Sequence, residues 1–235
     1  MPTRPTVSAI IPVFNGANYV AEAIESVMAQ THPVDEIVVV DDGSTDDSTE
    51  VLARFGDRIR VVHQENRGES AARNRGIAAA SGEVLAFLDH DDLWTPHKVE
   101  VQVAALRADP APVAVFGHVV QFVSPEIEPG RVPVPTDGDR PVPGTINGTL
   151  VTFRTTFELT GPFPERRDGT AFVDWYARIL DADLGVVTVP EVVLRRRHHL
   201  GNLGRTHASA PETYARAMRR VIDCRRGRLP DAPAR

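Results

Sequence analysis

Along the first half of the chain the apolar positions fall into two alternating patterns. Short β-branched runs occur at "TVSAIIPVF" (6–14), "EIVVVDD" (36–42), "IRVVH" (59–63) and "EVLAFLD" (83–89). They are too short for helices and apolar enough for strands buried on both faces. Between them the spacing turns helical: Val20, Ala23, Ile24, Val27 and Met28, then "STEVLARF" (48–55), "ESAARNRGIAAA" (69–80), and Pro96 to about Ala108. Strands alternating with helices at this pitch predict βαβ units, hence an α/β fold with a mainly parallel central sheet flanked by helices.

The alternation weakens after Val113. "VAVFGHVVQFV" (113–123) predicts one long strand, and "SPEIEPGRVPVPTDGDRPVPGTIN" (124–147), with six prolines, an irregular loop. Helices are expected near Arg154–Thr160 and over Ala171–Leu180, a strand at "GVVTVP" (185–190), and an amphipathic helix at "APETYARAMRRVIDCRRG" (210–227). Residues 1–235 then form one domain, divided into a first half (1–115), a second half (116–203) and a basic helix and tail (204–235).

Composition narrows the class. With 235 residues and 42% hydrophobic content the chain can bury one substantial core. The single cysteine, Cys224, excludes an internal disulfide and a cysteine-rich zinc site. No apolar run approaches the ~20 residues that span a bilayer, and the N-terminus lacks the basic head and cleavage site of a signal peptide, so a cytoplasmic protein is expected. The net charge of −6 hides an asymmetry: residues 195–235 carry eleven Arg against Glu212, Asp223 and Asp231, a local balance of +8. Such a tail could meet anionic lipid, a phosphorylated acceptor or the acidic body of its own protein, the last being the expected case and any membrane contact peripheral. Nucleic acid is not expected as a partner, because the tail offers only Tyr214 for stacking and no binding motif.

In parallel sheets ligands sit beyond the carboxyl ends of the strands. Three polar clusters fall there: Pro12–Asn15, Asp41–Asp42, and Asp89–Asp92 within "FLDHDDLW" (87–94). Crowded carboxylates are costly unless water or a cation compensates them. Taken alone, the octet also reads as a strand-to-helix turn in which Asp92 or Thr95 caps a helix starting near Pro96. A dinucleotide-dependent oxidoreductase is disfavoured, since no G-x-G-x-x-G follows the first strand.

Taken together, "IIPVFN", "VVVDDGSTDDS", "NRGESAARNRGI", "GEVLAFLDHDDLW", "FVDWYARI" and "RRHHLGN" resemble, in the same order, the inverting glycosyltransferases of family 2, which have the GT-A fold. The likeness covers roughly residues 6–203. It implies a Rossmann-like nucleotide half (1–115), an acceptor half (116–203), a nucleotide-sugar donor, here expected to be a UDP-sugar, and Mn²⁺ or Mg²⁺ held by an Asp-x-Asp motif. Hard cations take oxygen ligands and retain waters, so one or two carboxylates suffice. Asp91 is the expected metal ligand, and Asp89, pointing the other way in extended chain, lies nearer the ribose or shares the metal through water. By the same alternation His90 is not a ligand and Asp92 caps the next helix.

Pro12, Val13 and Asn15 are expected to line the nucleoside pocket through backbone groups, Asn15 with a simple turn as its alternative. Asp42, with Asp41 close behind, is expected to accept the base's imide hydrogen. Arg73 is expected to pair with a phosphate or brace the acidic cluster. Arg197-x-His199-x-x-Asn202 resembles a late motif near the diphosphate and metal, His199 offering a nitrogen to the cation or a donor to phosphate. The general base of an inverting transfer falls on Asp174 in "FVDW", where the family has an acidic pair; Val173 replaces the first acid. The alternatives are an N-cap role for Asp174 and, for the whole chain, a nucleotide-sugar-binding module without turnover. The acceptor stays open among peptide, natural product, saccharide and lipid-linked intermediate.

Overall fold

The computed structural model describes residues 4–108, 111–128, 131 and 140–201. The basic tail (204–235), its expected helix (210–227), Cys224 and Asn202 lie outside the described residues. Four parallel strands joined by three helices come first: β1 (Val7–Val13), α1 (Val20–Met28), β2 (Glu36–Asp41), α2 (Ser48–Ala53), β3 (Arg60–His63), α3 (Glu69–Ala79) and β4 (Val84–Phe87). A two-residue strand β5 (Leu93–Trp94) and helix α4 (Lys98–Leu106) lead to β6 (Ala114–Val123), β7 (Val142–Gly144), β8 (Val151–Phe153), α5 (Arg154–Thr160), α6 (Ala171–Asp181) and β9 (Val186–His198). They build one sheet in the order β3-β2-β1-β4-β8-β6-β9-β5, with β7 on β6.

The parallel character holds for β1 to β4, whereas the second half is mixed: β8 runs antiparallel to β4 and β6, and β9 parallel to β6. Side chains alternate between two cores. Ala9, Ile11 and Val13 pack with Ile24, Leu52 and Val103 of α1, α2 and α4; Ile10 packs with Ala72, Phe157 and Trp175 of α3, α5 and α6. Helices therefore cover both faces, as continuous apolar runs require. Among the described residues no helix is long and apolar enough to cross a membrane.

Two departures from the sequence reading shape the site. The strand expected at 185–190 continues to His198, carrying three arginines in β conformation, because its far half pairs with β6 and with the short β5 (Leu93 opposite Arg195, Trp94 opposite Leu194). Residues Asp89–Asp92 are a turn, not extended chain: the Asp92 amide donates to the Asp89 carbonyl at 3.1 Å. Antiparallel pairing then carries the acidic turn alongside the end of β9. Asp92 caps no helix. It is buried, accepts the Arg197 amide at 2.8 Å, and α4 begins at Lys98 after His97.

Helix α4 is fastened to the sheet by a fully buried lysine. Lys98 Nζ donates to Gln102 Oε1 at 2.6 Å and to the Thr149 carbonyl at 3.1 Å, and lies 5.0 Å from the Trp94 ring centre. Its hydrogen-bond acceptors are neutral, so burial pushes its pKa well below the usual lysine value. The unfolded chain then binds a proton that the folded chain releases, and stability rises with pH up to the unfolded pKa of about 10.4. Replacing Lys98 with Met is expected to raise the melting temperature at pH 7, and the gap to the wild type should close as pH approaches 10. Thermal unfolding of both proteins across that range measures it; a gap independent of pH contradicts a neutral buried Lys98.

Candidate functional site

The rim begins where β1, β2 and β3 end in register, Val13 opposite Asp41 and Asp41 opposite His63. Beyond it the chain must turn tightly. Gly43 adopts φ +76°, and a Cβ there would meet the Asn66 amide at 2.9 Å, so a side chain is excluded twice over. Asp41 accepts the Ser44 amide at 3.0 Å and His63 Nδ1 at 3.1 Å; burial opposes its ionisation, but these donors outweigh it and its pKa lies below the usual value. Asp42 accepts Gln64 Nε2 (2.7 Å) and the Arg67 amide (2.8 Å) on Oδ1, and the Gly68 amide (2.8 Å) on Oδ2. A carboxylate offers about four acceptor positions, and among the described residues three donors reach Asp42, one of them on Oδ2, while the residue is 2% exposed.

Three residues expected to line this pocket through their backbones serve its frame instead. Val13 is buried in the core and its carbonyl accepts the Asp42 amide at 2.8 Å; Pro12 is buried in the sheet opposite Val40. Asn15, at φ +51°, follows its turn alternative: its amide donates to Ser44 Oγ at 3.0 Å and its Oδ1 accepts the Thr45 amide at 2.8 Å. Backbone groups at the end of a tight βα turn are consumed by the turn itself.

Across the rim stands the acidic turn. His90 packs on Gly16, where a Cβ would lie 2.4 Å from the His90 ring. Asp89 faces α3, with Oδ1 2.5 Å from Arg73 Nη2. Arg73 is buried and also pairs with Glu69, so it braces the cluster as one of its two expected roles; among the described residues its buried Nε has no hydrogen-bond partner. Asp91 turns to β9 and meets His199 Nε2 at 3.0 Å. Burial alone would raise the Asp91 pKa, but the His199 hydrogen bond and neighbouring His90 hold it down at about 2. The Gly201 amide donates to His199 Nδ1 at 3.2 Å, which leaves Nε2 as the protonated nitrogen facing Asp91.

An ionised carboxylate and an imidazole directed at one point suit a hard or borderline divalent cation, which would replace the shared proton. The expected trio of Asp89, Asp91 and His199 is split, however. Asp89 is held by Arg73, and among the described residues no three His, Cys, Asp or Glu side chains gather at one point. Arg197 also departs from its expected place beside a diphosphate. It is buried: Nε donates to the Asp91 carbonyl at 2.9 Å, Nη1 to Ser124 Oγ at 3.1 Å, and Nη2 pairs with Glu22, while Tyr19 and Phe122 each lie 4.8 Å from its guanidinium. Its charge steadies the turn that presents Asp91.

Asp174 sits inside the first turn of α6, after the cap position Thr170, so the capping alternative falls. It is 39% exposed and its Oδ2 lies 2.6 Å from Arg166 Nη1. Val173, where the family has the first acid of the pair, is 1% exposed, so an acid there would need a buried partner.

Sequence reasoning passed over Phe14, Tyr19 and Arg166. Phe14 is 43% exposed just past β1, and a large apolar residue open to solvent among polar neighbours was a legible signal. Tyr19 lies 4.5 Å from the His199 ring, and its hydroxyl bonds Glu126 at the start of the Pro-rich segment. Nothing in the linear pattern marked that pairing.

The model of glycosyl transferase family 2 matches residues 8–163, which include both acidic clusters and end before Asp174. An uncharacterised glycosyltransferase of Rickettsia typhi is 34% identical over 221 residues, 89% of this chain and 69% of that one. Further curated relatives match over less of themselves, this chain spanning 15% to 41% of three such proteins. A mannosyltransferase from Pyrobaculum calidifontis, solved with GDP-Man and Mn²⁺, aligns over 99% of this chain and 67% of its own at TM-score 0.71 and 22% identity. S. aureus TarS 1–349, solved with UDP-GlcNAc, aligns over 92% and 65% at TM-score 0.66 and 19% identity. The fold is thus the GT-A fold of these transferases, and the chain belongs to glycosyl transferase family 2.

Proposed function

We propose that the chain is a metal-dependent, inverting glycosyltransferase that moves a sugar from a UDP-sugar to a hydroxyl-bearing acceptor. The observation that carries the reading is the meeting of Asp91 with His199 at 3.0 Å, on the same rim where Asp42 is held at the end of β2. Asp42 is assigned the base. With three donors already on it, it suits uracil, whose imide presents one N–H, better than guanine, whose donor edge asks for two neighbouring acceptors. Phe14 is assigned as the apolar platform beside it, and Asp89 faces the ribose, steadied by Arg73. TarS with UDP-GlcNAc supports a uridine donor on this fold; the archaeal mannosyltransferase with GDP-Man and Mn²⁺ supports the cation and leaves the base to be tested.

Asp91 and His199 are the residues that would hold Mn²⁺ or Mg²⁺. A divalent cation there would offset the negative charge that develops on the departing diphosphate. Asp174 accepts the proton of the acceptor hydroxyl as that oxygen attacks the anomeric carbon from the face opposite the leaving group. The rival reading, a donor-binding module without turnover, draws on the absent acid at 173 and the compact second half; Val173 is buried, and Asp174 beside it is still present.

Two outcomes test the roles. Asp91→Asn should lower Mn²⁺-dependent affinity for UDP at least about tenfold while Asp174→Asn leaves it within about twofold, and Asp174→Asn should slow transfer by roughly 10²- to 10⁴-fold. Calorimetry with UDP, with and without Mn²⁺, together with donor turnover, measures both; equal losses of binding in the two variants contradict the division of labour. In a thermal-shift screen with Mn²⁺, UDP should stabilise the protein more than GDP does, and a larger shift with GDP would reassign the base pocket.

A further inference from the structure

The segment joining α5 to α6 carries Glu165, Arg166, Arg167 and Asp168 in succession. Its start is anchored: the Phe163 amide donates to Asn74 Oδ1 at 3.0 Å, and Asn74 Nδ2 donates to the Phe163 carbonyl at 2.8 Å. Its end is anchored where Asp168 Oδ1 accepts the Thr170 amide at 2.9 Å and the Thr170 hydroxyl at 2.7 Å. Between these points the side chains part in an ordered way. Glu165 takes Arg67 Nη2 at 2.7 Å, and Arg167 donates to the Asn66 carbonyl at 2.7 Å. The stem of Arg167 also lies over Gly68, where a Cβ would come within 3.3 Å of it. Residues 67 and 68 are the ones whose amides Asp42 holds. The central side chain, Arg166, goes instead to Asp174 Oδ2 at 2.6 Å.

We infer that Arg166 is a positioning residue for the transfer: it fixes the Asp174 carboxylate through Oδ2, while Glu165 and Arg167 tie the same segment to the donor-side residues 66–68. The inference rests on Asp174 being the base. A half-exposed aspartate on the first turn of a helix turns freely about its side-chain bonds, and a base must meet its proton within hydrogen-bond reach. One anchored oxygen removes that freedom and leaves Oδ1 for the acceptor. In the step itself the acceptor O–H proton passes to Oδ1, the acceptor oxygen bonds to the anomeric carbon, and the bond from that carbon to the diphosphate oxygen breaks with its electron pair leaving on the diphosphate. Arg166 keeps its protons throughout. Arg178, one turn along α6, donates instead to the carbonyls of Thr160 and Pro162, each at 2.5 Å, so among the described hydrogen bonds and ion pairs the contact to the Asp174 carboxylate comes from Arg166.

The brace also explains the row of charges as a spacer. Because Asp42 sets the position of 67–68 and these set 165 and 167, the distance from the nucleoside end of the donor to the base is fixed through protein contacts rather than through the acceptor. Misplacing a reacting group by about an ångström costs on the order of 10² in rate without weakening binding.

The test uses the full chain with Mn²⁺ and either UDP-glucose or UDP-N-acetylglucosamine, reading donor hydrolysis with water as acceptor, and calorimetry with UDP. Arg166→Gln should lower kcat about 10- to 100-fold while the donor KM and the UDP Kd stay within about twofold. Arg166→Lys should recover part of the lost kcat, and guanidinium ion added to Arg166→Ala should do the same. Arg166 is 52% exposed on its side chain, so these variants are expected to fold, and their melting temperatures check it. If Asp174→Asn stops hydrolysis while Arg166→Gln retains wild-type kcat, the positioning role is wrong and the base assignment stands. A drop in kcat that neither lysine nor guanidinium relieves also overturns it, as a merely structural loss. If Asp174→Asn hydrolyses donor like the wild type, or the wild type turns over neither donor, the base assignment fails and the inference fails with it.

Discussion

Asp91 meets His199 across 108 residues of chain, and that contact closes the site. It joins the turn after β4 to the end of β9, which lie in different halves of the fold. The partner to this bond is a matter of register. β5 is two residues long, yet by pairing Leu93 with Arg195 it sets the acidic turn antiparallel to the last residues of β9. Arg197 reinforces the same junction from the inside, with its amide on Asp92 and its guanidinium on the Asp91 carbonyl, Ser124 and Glu22. A buried guanidinium thus holds the turn that aims Asp91 at the rim, while His199 and His90 keep its carboxylate ionised.

The donor side is built by an opposite economy. There two buried aspartates organise loops: Asp41 holds the turn through the Ser44 amide, and Asp42 the next segment through the Gln64 side chain and the amides of Arg67 and Gly68. Carboxylates that accept several amides are rigid, and rigidity is what a nucleoside pocket needs, since a base is recognised by one or two hydrogen bonds at fixed positions. The segment between α5 and α6 is tied to residues 66–67 through Glu165 and Arg167, and through Arg166 it reaches Asp174.

Much of the fold was legible in the sequence because β1, β2 and β4 are short apolar runs covered on both faces, a local property. The strands of the second half were harder to read. Val151–Phe153 is three residues long, and the basic stretch Arg195–Arg197 looks unlike a strand until its neighbours on β6 and β5 are known. For the site, the acidic clusters at the strand ends showed where to look, by the general rule for open α/β sheets. What they did not show was which polar group is spent on whom. Asp92 binds the Arg197 amide, Asn15 the turn at Thr45, and Arg166 reaches Asp174, and each of these is a choice among partners made in three dimensions. The departure at Val173 was visible as a missing charge; that its side chain is buried was not.

The proposed function stands on a single place, at the junction of β4 and β9, that would hold a cation and a diphosphate together. Crystals grown with UDP and Mn²⁺, with the manganese located by its anomalous scattering, test this most directly. The account predicts manganese bonded to Asp91 and His199 and to the diphosphate oxygens, with the uracil against Asp42. Manganese bound elsewhere, or UDP seated away from the Asp42 wall, would contradict it.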